Sequence, residues 1–130
     1  MKYYNFRKWY PNSKYMFHGN WDDMFCDNYP NDKWHEQEKS PVMQWTGLTD
    51  KNGVEIFEGD IVKETKIYDY SDDIDVNLYQ IIWNENVTGF TAEGKNGSNT
   101  IHQNNMGVCE VIGNIYENPE LLEREKNEGN

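Results

Sequence analysis

Cysteine is nearly absent: Cys26 and Cys109 are the only two in 130 residues. No CxxC pair exists, so neither a redox dithiol nor a close-spaced zinc set can be assembled. Histidine is as sparse. His18, His35 and His102 are scattered, which argues against a metal centre and gives no spacing from which a Ser-His-Asp arrangement could be argued. There is no Gly-x-Gly-x-x-Gly and no P-loop, the usual marks of dinucleotide and nucleoside-triphosphate sites. Long apolar runs are missing too. No stretch approaches the ~20 residues of a membrane span. Met1-Lys2-Tyr3-Tyr4-Asn5 lacks the apolar run of a signal peptide. The expectation is a protein of the cytoplasm with free thiols, no cofactor and no metal.

What is present in excess is negative charge. There are 23 Asp+Glu against 12 Lys+Arg, a formal net charge of -11. Phosphate backbones and anionic membranes repel such a chain, which argues against direct nucleic-acid or membrane binding. A basic protein partner is still allowed, although the plainest meaning of acidity is solubility. A mean hydropathy of -1.00 leans towards disorder. Aromatic residues argue the other way: they make up 15% of the chain, and each ring buries a large area. Aromatics beyond the needs of a small core point to an interface. The length suits one domain, or two small subdomains sharing a core.

The chain is organised around Val42 to Lys63. Two short runs of strand-forming residues flank Asp50-Lys51-Asn52-Gly53. The Asp side chain can open a turn, and Gly53 can close it at positive φ. Alternation places Val54 and Ile56 on one side of the next strand, with Glu55 and Phe57 on the other. Glu58-Gly59-Asp60 breaks that strand, and Ile61-Val62 begins another.

Further strands are expected over Phe6 to Tyr10, Tyr15 to Phe17, Lys63 to Tyr70, Ile74 to Trp83, Val87 to Glu93 and Val108 to Ile115. Asn96-Gly97 signals a hairpin. A short helix is expected over Trp21 to Phe25, capped by Asn20, followed by a polar loop over Asn28 to Ser40. A second helix is expected at the C-terminus. Asn118 suits its N-cap, Pro119 its first position and Glu120 its dipole.

The central stretch resembles the signature of the YopX family, small proteins of Gram-positive phages and prophages. The likeness lies in Gln44-Trp45-Thr46-Gly47-Leu48, in Asp50 to Gly53 and in Ile56 to Val62. Phe6-Arg7-Lys8-Trp9 with Met16 is similar to the family's opening, and Val111 to Leu122 to its ending. The resemblance implies a complex α+β N-terminal part followed by an SH3-like part. The expected fold class is therefore α+β and mostly β. Residues 1–41 form the N-terminal part, and residues 42–130 form a small SH3-like barrel with the C-terminal helix, as one structural unit. The family has no established biochemical activity, so the likeness supplies a context more than a reaction.

Two groups of residues have chemistry worth weighing. Glu58 and Asp60 are the closest carboxylate pair in an ordered turn. They could hold a divalent metal or act as acid and base, but the plainer role is to accept backbone N–H groups. Arg7 and Trp9 share a strand face and, with Trp45, could hold a nucleotide base and phosphate. The plainer role is a core cluster around a buried arginine. Gln44 and Thr46 share a face and could read a ligand's polar edge, or simply stand as cross-strand residues. Cys109, inside a strand, reads as core rather than nucleophile.

These observations imply a non-enzymatic accessory protein acting as a homo-oligomeric binding module. It would sequester a small anionic ligand through Arg7, Trp9, Gln44, Trp45 and Thr46. The alternative is an acidic nucleic-acid mimic that occupies a basic host protein; a metal-dependent hydrolase ranks below both. Self-association is expected through Phe6 and Trp9 of the first strand or through Leu121 and Leu122 of the last helix.

Overall fold

The structure, a computed structural model, describes residues 5–20, 41–95 and 97–123. The chain divides into two compact units, Met1–Trp45 and Thr46–Asn130. Strand β3 runs across the division.

The first unit is built on an antiparallel hairpin, β1 (Phe6–Tyr10) and β2 (Tyr15–Gly19), with the start of β3 (Val42–Thr49) on the other side of β1. The turn signal at Pro11 to Lys14 closes the hairpin as expected, and Lys14 takes a φ of 53° to do so. Register pairs Arg7 with His18 and Met43, and Trp9 with Met16. The Trp45 N–H donates to Asn5 O at 2.7 Å and carries the ladder further. Side chains alternate, so Arg7, Trp9 and Met43 turn to a buried face, while Lys8 and Tyr10 turn to the other. The helix expected over Trp21 to Phe25, the loop after it and Cys26 lie outside the described residues.

In the second unit the end of β3 flanks β4 (Glu55–Phe57). The remaining strands are β5 (Asp60–Ile67), β6 (Ile74–Asn84), β7 (Gly89–Gly94), β8 (Gly97–Thr100) and β9 (Cys109–Asn114). They form one antiparallel sheet in the order β8-β7-β6-β5-β9. Its concave side buries Val62, Ile81, Ala92 and Cys109 with Ile56 of β4. Met106 completes this core from α1 (Gln103–Met106), a single helical turn between β8 and β9.

The chain is mostly β, with one curled half-barrel sheet and a second sheet. That half-barrel, edged by β8 and β9, stands where the sequence suggested an SH3-like barrel. Burial in β4 does not follow its alternation: Ile56 and Phe57 are both buried, while Val54 is exposed. Phe57 ends the strand beside the turn at Glu58-Gly59-Asp60, and strand neighbours that are both buried are covered on both sides of the chain.

At the C-terminus only 120–123 are helical among the described residues, so a single turn stands where the helix was expected. The Asn118 side chain does not cap it in the expected way. Its Oδ1 instead accepts the Asn114 N–H at 3.3 Å, facing back towards β9. No helix among the described residues is long and apolar enough to cross a membrane.

Candidate functional site

The signature residues of the central stretch act first on the backbone. Asp50 is buried and accepts three N–H groups. Its Oδ1 takes those of Asn52 (2.8 Å) and Val54 (2.9 Å), which close the turn. Its Oδ2 takes that of Val111 (2.9 Å), on strand β9. The Gly53 N–H donates to Asp50 O at 3.0 Å, and Gly53 has a φ of +80°. The Lys51 N–H donates to Cys109 O at 2.9 Å. One carboxylate and one glycine therefore set the turn and dock it on the last strand.

The Glu58-Gly59-Asp60 turn is a second joint. Asp60 is 1% exposed, and its Oδ2 accepts the Phe57 N–H at 2.7 Å. This is the plainer of the two roles considered for it. Gly59 has a φ of +90°. Its N–H donates to Ile81 O at 2.7 Å, and its carbonyl accepts the Ile115 N–H at 2.9 Å. No group of three His, Cys, Asp or Glu side chains suited to a metal ion occurs among the described residues.

A third joint follows β9. The Asn114 Oδ1 accepts the N–H groups of Tyr116 (3.0 Å) and Glu117 (2.8 Å), and its Nδ2 donates to Glu117 Oε2 at 2.6 Å. Gly113 leaves room for the Asn118 side chain beside it: a Cβ there would stand 2.5 Å from the Asn118 Oδ1, which would have to shift.

Cys109 is buried in the core. Its thiol donates to Asn105 O at 3.3 Å. Burial, reinforced by the charges of Glu64 and Asp50, pushes it up to about 11. A thiol so rarely ionised is a poor nucleophile at neutral pH.

The five candidate ligand residues do not converge. Arg7 is only 6% exposed, and Trp9 beside it is buried. Trp45, two residues beyond Met43, shares their strand face and is half-buried. Gln44 pairs with Phe6 on the opposite, exposed face. Thr46 has a local duty: its hydroxyl donates to Ile56 O (2.7 Å) and accepts the Leu48 N–H (3.2 Å). Arg7, Trp9 and Trp45 are thus the subset that one face of β1 and β3 can present together.

A further surface lies at the far end of β5 and β6, where the alternation of Ile74, Val76 and Leu78 with Asp75, Asn77 and Tyr79 signals a half-exposed strand. Strand β9 leaves β5 at Glu64, and β7 meets β6 only from Gln80. Beyond those points the two strands continue as a bare ribbon, pairing Thr65 with Val76 and Ile67 with Ile74. On its apolar face Ile67 is 75% and Ile74 60% exposed, and Tyr70 at the tip is 86% exposed. Tyr68 braces the opposite face, donating to Asp75 Oδ2 at 2.7 Å. The signal was legible: Ile74, Val76 and Leu78 alternate, but nothing in that pattern says which face lacks a cover.

No curated protein matches this chain. Among solved structures it is similar to protein EF1440 from Enterococcus faecalis. The TM-score is 0.63 at 29% identity, over 94% of this chain and 99% of that one. The model of the family described as YopX protein matches residues 1–123, so the first unit, the second unit up to residue 123, the Asp50 and Gly59 joints and the Asn114 turn fall within the match. The chain belongs to the YopX family.

Proposed function

We propose that this chain is a phage-type accessory protein that works in the host cytoplasm as a non-enzymatic, homo-oligomeric binding module. Family membership supports the accessory role. The observation that carries the non-enzymatic reading is the use made of the reactive groups. The Asp50 and Asp60 carboxylates accept backbone N–H groups, and the Cys109 thiol is buried and hard to ionise. The ligand best suited to Arg7, Trp9 and Trp45 is a small anion with an aromatic ring, such as a nucleotide signal of host defence. Trp45 would stack the base and Arg7 would balance the phosphate.

A thermal-shift titration with nucleotides tests this, since a ligand of the folded state raises Tm with ln(1 + [L]/Kd). Wild-type protein should shift and Trp45→Ala should not. A shift produced by Mg²⁺ or Mn²⁺, with nucleotide hydrolysis that Glu58→Gln abolishes, would favour a metal-dependent hydrolase instead. The second reading is an acidic mimic that occupies a basic protein, favoured by the net charge of -11.

A further inference from the structure

The charges of this chain are segregated. All 23 acids follow Asn20, while the first 20 residues carry Lys2, Arg7, Lys8 and Lys14 and no acid. In the β1–β2 hairpin, alternation sends Arg7 to the buried face and Lys8 to the other, where register sets it beside Phe17 and sets Tyr10 beside Tyr15. The Lys8 ammonium lies 5.5 Å from the Tyr10 ring centroid, Tyr15 is 57% exposed, and Lys14 at the turn is exposed. This outer face is aromatic and cationic. The β5–β6 ribbon is its chemical complement. It shows Ile67, Ile74, Val76 and Tyr70 to solvent, and its tip carries Asp69, Asp72 and Asp73, all exposed.

We infer that the ribbon of one copy seats on the outer face of the β1–β2 hairpin of a second copy. This rests on the homo-oligomeric half of the function proposed above and names the surfaces that make the oligomer. Charge complementarity selects the occupant. A chain of net charge -11 repels its own kind over most of its surface, and the contact that escapes this repulsion joins the acid-free hairpin to the acidic ribbon. Apolar side chains on both surfaces lose water as they meet. The ribbon needs such a cover, because a two-stranded hairpin is marginal alone in water. The two surfaces differ, so the contact is heterologous: each copy offers a ribbon to one neighbour and a hairpin to the next. Such an assembly closes into a ring or runs on as a filament. Phe6, also on the outer face, keeps its place in the interface. Trp9, on the buried face, is replaced there by Lys8, Tyr10 and Tyr15.

Native mass spectrometry of the full chain at micromolar concentration tests this. Wild-type protein should assemble. The double variant Ile67→Asp/Ile74→Asp should be monomeric with its melting transition retained, because both side chains lie outside the core. Lys8→Glu/Lys14→Glu should also be monomeric. Adding Asp72→Lys/Asp73→Lys to that variant should restore assembly, which a mere loss of folding could not produce. An oligomer indifferent to the Ile67 and Ile74 changes overturns this interface and leaves the homo-oligomer standing. A wild-type monomer overturns both, while ligand binding is judged separately by the nucleotide titration.

Discussion

Asp50→Ala should be the most damaging substitution in the central stretch. The carboxylate accepts three backbone N–H groups, from Asn52, Val54 and Val111, in a buried position. Hydrogen bonds to a charged acceptor contribute about 1.5–3 kcal/mol each, and a buried donor left unsatisfied costs about 1–3 kcal/mol. Water can reach the two turn donors once the side chain is gone, so their loss is partly recovered. The Val111 donor, in the β9 ladder, has less access to a substitute. The sum is about 3–6 kcal/mol, a large part of the ~5–15 kcal/mol of a typical domain. Asp50→Asn keeps one acceptor oxygen and turns an amide N–H towards a donor, so it should fall between alanine and wild type. Urea denaturation monitored by tryptophan fluorescence measures the loss. Amide hydrogen exchange then localises it, with Val111 losing more protection than strand β7. A loss below about 1 kcal/mol for Asp50→Ala, or equal deprotection of β7 and β9, would refute the role of the carboxylate as a clamp between turn and last strand.

Three further expectations follow from the joints. Gly53→Val should cost about 1–3 kcal/mol from backbone strain alone, since a Cβ at that position meets nothing within 4 Å; an unchanged melting temperature would sink the turn assignment. Gly113→Ala should destabilise by a clash with the Asn118 side chain, and Gly113→Ala/Asn118→Gly should recover much of the loss, so additive losses in a double-mutant cycle would count against that contact. Cys109 supplies a pH dependence. Its thiol ionises at 9.0 in the unfolded reference and at about 11 when folded. The unfolded chain therefore releases the proton first as pH rises, and stability falls between those values by at most ~1.4 kcal/mol per pH unit. Cys109→Ala should flatten that part of the pH profile relative to wild type, and a matching slope in both proteins would contradict the buried thiol.

The sequence made the turns more readable than the surfaces. Asp50 to Gly53 and Glu58 to Asp60 each fix local geometry through a short side chain and a glycine at positive φ, so spacing alone reveals them. Strand positions were also legible, because alternation over Ile74 to Leu78 or Phe6 to Tyr10 needs no tertiary knowledge. The α1 turn was missed: four residues are too few for a periodic signal. Its mark is instead the reciprocal bonding of His102 and Asn105, a capping box without the usual Ser or Glu. The candidate site was partly legible. Arg7 and Trp9 share a face as their spacing required, but spacing cannot tell a buried face from an open one. The ribbon read as a half-exposed strand, but its bare apolar face did not show, for a different reason. Its exposure is set by where β9 and β7 stop pairing, which depends on residues more than a dozen positions away in the chain.

The Gly59 peptide has a consequence for how the protein is made. Its N–H reaches Ile81 and its carbonyl reaches Ile115, while β5, which follows it, lies between β6 and β9. Contacts so distant in sequence close late, after a large loss of chain entropy. A ribosome that has delivered β5 and β6 has built a hairpin whose inner edge must wait while the chain from Asn84 to Cys109 is made, before β9 arrives. Until then the β5 edge is open to any passing strand. Yield should therefore depend on translation speed across Trp83 to Cys109, and a pause placed there by synonymous codons should raise aggregation without altering one side chain.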